Sequence, residues 1–500
     1  MEKIKFNLNN ISIFLLLCFP LFLVIGPFLA EVSMNLINII FLYKIFKNRK
    51  FKYLNKKFLI FFISFYLYIF LSVLLSDYIE QIYLKHIFYF RHIIFIIAIV
   101  DLLKENKNLI FLFYKAFAII IFIVAIDGII QFFFNFNSLG FEKIRPDRLT
   151  GFFDDKMILG SYLARFLPLL IALLFLNFNS KKLNNLIFGI IIVVLSFITI
   201  ILSGERMAFY TTFIYLIGLI FLLNYSFYKK FLSFILVISI TSIIFLVSPT
   251  VVDRHYQQTK DQLKFDLSKD NLFDNFIFYK DIYTTAFNGY VDSKIFGQGA
   301  RSYRFFCSEK KLASYTVSKY EKNLNELLSK EKLTIKKVYK KEKEFVRKND
   351  IIFSYIDDNE IKNFYFDYDV DILTFNLTKK FIGKTINSND ISLYFSKTKN
   401  GCTTHPHNFY LQLLSETGII GFLFIVLLFV YLIFLLLKNI IGTLLNKKPF
   451  LNNFQICLLF GFIITLLPMI PNGNFFNNWL SMIMFFPIGF YIFSLKKDNQ

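Results

Sequence analysis

Where the longest polar stretch of the chain gives way to an apolar run, His405-Pro406-His407-Asn408 is followed by Gln412 and Glu416. A neutral imidazole at such a boundary can take a proton from a hydroxyl, the role of a general base, because its intrinsic pKa lies near working pH. Pro406 suits the first turn of a helix, and the unpaired amides of that turn disfavour imidazolium, so His407 is expected to be neutral. Asn408, Gln412 and Glu416 recur every four residues. That spacing gives one polar stripe on a helix, which must face protein or a cavity and not lipid. The bland reading of His407 is a helix cap or an interfacial residue. His405 and His407 form a His-x-His pair without further ligands nearby in sequence, so no metal is expected.

Arginines form the second group. Arg206, in Ser203-Gly204-Glu205-Arg206, stands between two apolar runs, and Arg301 and Arg304 follow Gly297-Gln298-Gly299. Arg148 opens the turn-like stretch Arg148-Leu149-Thr150-Gly151-Phe152-Phe153-Asp154-Asp155, ahead of a run that holds Gly160 and Pro168. A guanidinium offers a planar fork matched to phosphate oxygens and keeps its charge. Against that stand ordinary salt bridges, such as Arg206 with Glu205, and a simple loop entering a helix at Arg148. Arg91, close to His86 and His92, is open to either reading. Gly297-x-Gly299 lacks the third glycine and the strand-helix context of a dinucleotide fingerprint.

The elements that must position these residues are apolar helices. Of 500 residues, 56% are hydrophobic and 20% aromatic, more than a soluble domain carries. The apolar residues fall in blocks near the ~18 to 20 residues that cross a hydrocarbon core, and they show no alternation of the barrel kind. About twelve spans are expected, at residues 11–28, 32–48, 58–76, 84–103, 108–134, 157–178, 186–202, 207–224, 231–248, 408–438, 454–471 and 474–495. The fold class is therefore an all-α polytopic membrane protein. Residues 1–248 carry the first spans, 249–407 form one large extramembrane loop, and 408–500 carry the last spans.

The net charge of +21 sits between spans. Lys44, Lys47, Arg49, Lys50, Lys52, Lys56 and Lys57 fill one connection, and Lys181-Lys182, Lys229-Lys230, Lys447-Lys448 and Lys496-Lys497 mark later ones. The connections around Gly26 to Asn35, Ser76 to Gln81 and Pro468 to Asn477 hold no lysine or arginine, an asymmetry that puts both termini in the cytoplasm and the 249–407 loop outside it. The charge thus reports topology and no nucleic acid is expected as partner. Lys3 and Lys5 lead into an apolar run with more spans close behind, so the first helix is expected to be retained. Cys18 and Cys457 lie within spans. Cys307 and Cys402 lie in the outer loop, where disulfides persist, and are expected to pair. Closing a loop of that length is worth roughly 4 to 5 kcal/mol in the chain-entropy model.

Within the loop, residues 308–400 are rich in charge. Lys319 to Lys348 reads as solvated helix, and Phe364 to Phe375 alternates apolar residues with Asp367, Asp369 and Asp371, as a strand with one wet face does. An inserted α+β subdomain follows. A calcium loop is rejected because Ile372 occupies the position that needs glycine.

Taken together, these motifs resemble the O-antigen ligase and polymerase superfamily of bacterial envelope glycosyltransferases. His407-Asn408, nine residues, then Gly418-Ile419-Ile420-Gly421 is similar to the ligase signature. The layout of spans around a large loop ending at the histidine is similar too, with the loop between the ninth and tenth spans. The resemblance implies an inverting, metal-independent glycosyltransferase of the bacterial inner membrane, without cofactors. It implies transfer of a glycan from undecaprenyl diphosphate to an acceptor hydroxyl, such as a lipid A-core sugar, at the periplasmic face. His407 is implied as base, Arg206 as diphosphate clamp, and Arg301 or Arg304 as the second clamp. Arg148, His405, Asn408, Gln412 and Glu416 are expected to line the cleft or the acceptor site, and Gly418 and Gly421 to pack helices. Partners are then the lipid-linked donor, a glycan acceptor and membrane lipid. A polymerase or a protein oligosaccharyltransferase would share these features. A transporter, from a different class, should show an internal repeat or charges deep in helices, and no repeat is evident.

Overall fold

Uninterrupted runs of leucine, isoleucine and phenylalanine become helices in lipid because a helix satisfies each backbone N–H and C=O within itself. The computed structural model describes residues 8–48, 56–106, 108–177, 183–262, 279–307, 309, 312, 333–338, 351–357, 360–365, 385–386, 402–445, 449–468 and 470–495. Among the described residues, eight helices are long and apolar enough to cross a membrane: Leu8–Ile25, Pro27–Lys47, Ile79–Glu105, Leu109–Phe134, Leu159–Leu176, Phe227–Val247, Phe409–Leu444 and Asn478–Leu495. Four shorter apolar helices, Phe58–Leu74, Leu186–Leu202, Arg206–Leu222 and Asn453–Thr465, fall within or close to the other expected spans. The molecule is a helical, multi-pass membrane protein.

Phenylalanine builds the centre of the bundle. Phe19 stacks on Phe486 with ring centroids 4.9 Å apart, Phe113 meets Phe490 at 4.8 Å, and Phe117 meets Phe166 edge-on at 5.2 Å. All six rings are fully buried, so the high aromatic content is spent on packing between helices as well as on lipid contact. The Asn453–Thr465 helix packs on Leu159–Asn177, and Asn478–Leu495 packs on Arg91–Glu105. The helix Lys280–Asp292 lies against Phe409–Leu444, which brings the polar loop onto the bundle. Arg91 is paired with Glu31 in a salt bridge of 2.5 Å, and Asn478 also donates to Glu31, so that arginine ties helices together.

In the inserted segment an antiparallel sheet has strand order β3-β2-β1-β4, with β1 Leu333–Val338, β2 Ile351–Asp357, β3 Glu360–Tyr365 and β4 Thr385–Ile386. This corrects part of the helix expected over Lys319 to Lys348. Leu333-Thr334-Ile335 and Val338 are β-branched or apolar, and pairing of β1 with both β2 and β4 outweighs the helix propensity of the flanking Lys and Glu. The rest of that expected helix lies outside the described residues. So do Phe366 to Phe375 and the three aspartates considered for calcium; Phe364 and Tyr365 end β3.

Candidate active site

The helix that follows the histidines starts at Phe409, later than Pro406 suggests. Asn408 is its cap: the side-chain oxygen accepts from the backbone N–H of Tyr410 at 2.9 Å and of Leu411 at 3.0 Å. His407 precedes the cap in a left-handed backbone conformation, φ 53°. Its carbonyl accepts from the Asn472 N–H at 2.7 Å, so the loop after Asn453–Thr465 holds it. The rings of His405 and His407 lie 4.1 Å apart. Burial lowers the pKa of His407. Burial and then the neighbouring His407 push His405 down to about 3. Both imidazoles are therefore neutral at pH 7, able to accept a proton.

Gln412 and Glu416 are fully buried and hold the loops that surround the histidine. Gln412 donates to Glu416 at 2.9 Å and to Asn474 at 2.9 Å, while its oxygen accepts from the Phe475 N–H at 2.9 Å. The Glu416 carboxylate accepts from the backbone N–H groups of Arg301 at 2.9 Å and Tyr303 at 3.0 Å. The helix then breaks at Gly418, φ 64° and ψ −168°. The carbonyls of Ser415 and Glu416 accept from Gln298 and Gly299 N–H at 2.9 and 2.8 Å, and Ile419 donates back to Lys294 at 2.9 Å. The two glycine motifs of the sequence thus meet backbone to backbone. Gly421 packs where a Cβ would lie 2.1 Å from Thr417 Oγ1.

A second junction gathers arginines. The Leu149 N–H donates to Ser203 O at 3.1 Å. Gly204, φ 69°, turns so tightly under this loop that a Cβ would sit 2.0 Å from Asp147 O. Glu205 does not pair with Arg206. Its carboxylate accepts from Gly160 N–H at 2.7 Å, Ser161 N–H at 3.1 Å and the Ser161 hydroxyl at 2.5 Å, occupying the amide end of the Leu159–Asn177 helix. Arg254 pairs with Asp147 at 3.3 Å and donates to Gly204 O at 3.0 Å. Arg148 donates to Met157 O at 2.9 Å. Among the described residues Arg206 has no ion pair.

Tyr279, the N-cap of Lys280–Asp292, connects the two junctions. Its ring centroid lies 5.8 Å from that of His407. Burial raises its hydroxyl pKa, and the charges of Arg206, Arg254 and Arg148 lie close enough to oppose that rise. A cavity of about 400 Å³ opens between them, lined among others by Arg148, Arg165, Glu205, Tyr279, His405 and His407. Arg206, Arg301, Arg304, Asn408, Gln412 and Glu416 are not among its lining residues. Arg304 is near enough to act on His405, and Arg301 feels the charge of Arg304 first and then of Glu416, Tyr89 and Arg91.

Cys307 and Cys402 form a disulfide across 95 positions of sequence, Cα to Cα 4.9 Å. It closes the inserted segment at its neck, and the Cys307 sulfur lies next to Thr403 O. Thr403 in turn donates to His405 O at 2.6 Å. Among the described residues no group of three His, Cys, Asp or Glu is placed to hold a metal ion.

The residues not singled out from sequence are Arg165, Tyr279 and Asn472. An arginine within an apolar run four residues after Ser161 was a usable signal. Tyr279 and Asn472 gave none, since their loops carry no motif. A protein-family model described as O-antigen ligase matches residues 191–325, a stretch that contains Arg206, Arg254, Tyr279, Arg301 and Arg304 and ends before His407. No curated protein sequence matches the chain.

Proposed function

We propose, from the premise that the chain is a member of the O-antigen ligase superfamily, as its match over residues 191–325 supports, that it is an inverting glycosyltransferase. It moves a glycan from undecaprenyl diphosphate to an acceptor hydroxyl, a lipid A-core sugar, at the periplasmic face of the inner membrane. The observation that carries this reading is that His407, held neutral by burial, shares one cavity with Arg148 and with Tyr279, whose hydroxyl lies in the field of Arg206.

In the reaction the acceptor hydroxyl gives its proton to His407 while its oxygen forms a bond to the anomeric carbon. The bond from that carbon to the diphosphate oxygen breaks on the opposite face, and undecaprenyl diphosphate leaves with the electron pair. Arg148, on the cavity, and Arg206, which lies outside its lining but whose charge reaches Tyr279, stabilise the charge that develops there, an effect worth several kcal/mol in a water-poor site, on the order of 3 for one well-placed donor. Arg301 and Arg304 act on one another, and of the two it is Arg304 whose charge also reaches His405, which favours it as a further clamp. The reaction needs no metal in this scheme, because arginine supplies the positive charge.

The lysine clusters between spans support twelve crossings with both termini in the cytoplasm and residues 249–407 outside. Spans 1–248 and 408–500 then form the catalytic bundle, and residues 308–400 an accessory subdomain. The ligase is favoured over a polymerase by the complete signature from His407 to Gly421. An envelope gel of a deletion strain tests this. A ligase deletion leaves long chains on the lipid carrier and none on core, while single repeat units attached to core would overturn it in favour of a polymerase.

A further inference from the structure

The Leu159–Asn177 helix presents Arg165 to the same cavity one turn beyond Ser161. A guanidinium within a membrane-spanning helix is costly unless it meets an anion or a full set of acceptors. Arg165 has neither. Nη1 donates to Ser161 O at 3.2 Å and Nη2 to Asn472 Oδ1 at 3.4 Å, both neutral groups, and Nε is buried without a partner. Among the described residues it makes no ion pair. Glu205, whose charge reaches it, already accepts from Gly160 and Ser161. Arg148, also on the cavity, likewise has a buried Nε without a partner. Two guanidiniums, each with an unpartnered Nε and with the one carboxylate of Glu205 between them as nearby charge, therefore line one cavity. Past Arg165 the wall is mainly apolar, with Pro168, Tyr215, Gly461 and Ile464 beside the hydroxyls of Thr212 and Thr465.

We propose that Arg165 is a substrate-binding residue that holds one phosphoryl group of the lipid diphosphate, the one nearer the lipid tail, while Arg148 holds the other. This rests on the reading of the chain as a lipid-diphosphate glycosyltransferase and names a residue outside its sequence motifs. Two forks suit two phosphoryl groups, each able to take a bidentate pair. The apolar wall beyond Arg165 suits the first isoprene units. Asn472 joins Arg165 to the carbonyl of His407, so an anion on Arg165 also fixes the distance between leaving group and base.

The test uses the full-length protein in nanodiscs with farnesyl diphosphate and farnesyl monophosphate as probes, and transfer kinetics with separate KM values for donor and acceptor. Arg165→Gln is expected to weaken farnesyl diphosphate binding at least tenfold, to affect the monophosphate less, and to raise the donor KM without changing the acceptor KM. Arg165→Lys keeps a point charge and loses the fork, and should fall between. If the glutamine variant does not fold, the lysine variant carries the test. Wild-type diphosphate affinity in the folded variants overturns the assignment, as does an effect on the acceptor KM alone, which would place a phosphorylated acceptor there instead. Arg206→Gln is the control. Weakened binding in it, with unaltered binding in both Arg165 variants, removes this inference and leaves the glycosyltransferase reading standing. A wild-type protein that binds no farnesyl diphosphate removes both.

Discussion

Gly297 and Gly418 close on each other across two backbones, with no room for a side-chain atom on either. A Cβ at Gly297 would lie 2.4 Å from Gly418 N, one at Gly418 would lie 2.1 Å from Ile295 O, and both residues have positive φ, 70° and 64°. The contact joins the loop that leads to Arg304 to the helix that follows His407. The glycine of the His-Asn signature thereby has a physical role, since it lets a loop dock on a broken helix and take over its free carbonyls.

Gly418→Ala is accordingly expected to be severe. The backbone at φ 64° and ψ −168° lies in a region essentially restricted to glycine and costs another residue about 1 to 3 kcal/mol, and the carbonyl at Ile295 is backbone that cannot step aside. A loss of more than about 2 kcal/mol should appear as a lower melting temperature in detergent. A variant that melts with the wild type would show that the loop does not depend on this approach.

His407→Ala should lower transfer by about 10² to 10⁴ while the protein still inserts and melts normally. Because burial lowers the pKa of His407 and the neutral ring is the active form, activity should be level above the ordinary histidine value of 6.5 and fall only at pH below it. An acid limb centred above 6.5, or full activity in the alanine variant, would take His407 out of the reaction.

Glu416→Ala strips the acceptor from the Arg301 and Tyr303 N–H groups and from Gln412. Leaving buried donors unpaired costs ~1 to 3 kcal/mol each, so the variant should be less stable and its 297–304 loop more readily cleaved by protease. Proteolysis at the wild-type rate would mean that the loop is held by other contacts.

Cys307 lies three residues beyond Arg304 and Cys402 three before His405, so the disulfide ties the Arg304 segment to His405, which lines the cavity. Cys307→Ser should remove roughly 4 to 5 kcal/mol in the chain-entropy model. The oxidised wild type should also run differently from its reduced form on a denaturing gel, whereas the serine variant should not. Equal mobility of both wild-type forms would show that the thiols do not pair.

Membrane embedding and helix type were legible in the residues alone, because lipid makes composition decisive: a block of apolar residues without charges has one stable form there. His407, Arg148 and Arg206 stood out in the sequence as candidates because each is a polar or charged residue next to an apolar run. The β1 strand was not legible, since pairing with β2 and β4 is a non-local gain invisible to a window rich in lysine and glutamate. Gln412 and Glu416 could be placed on one face by their spacing, but not assigned to the backbones of Arg301, Tyr303 and Phe475, which lie far along the chain. Nor could spacing bring Tyr279 and Arg165 to the cavity that His407 lines. Hydropathy is a local property summed along one helix, and the sequence carries it whole. Which side chains share a cavity depends on how helices and loops distant in sequence pack, and only the folded bundle decides that.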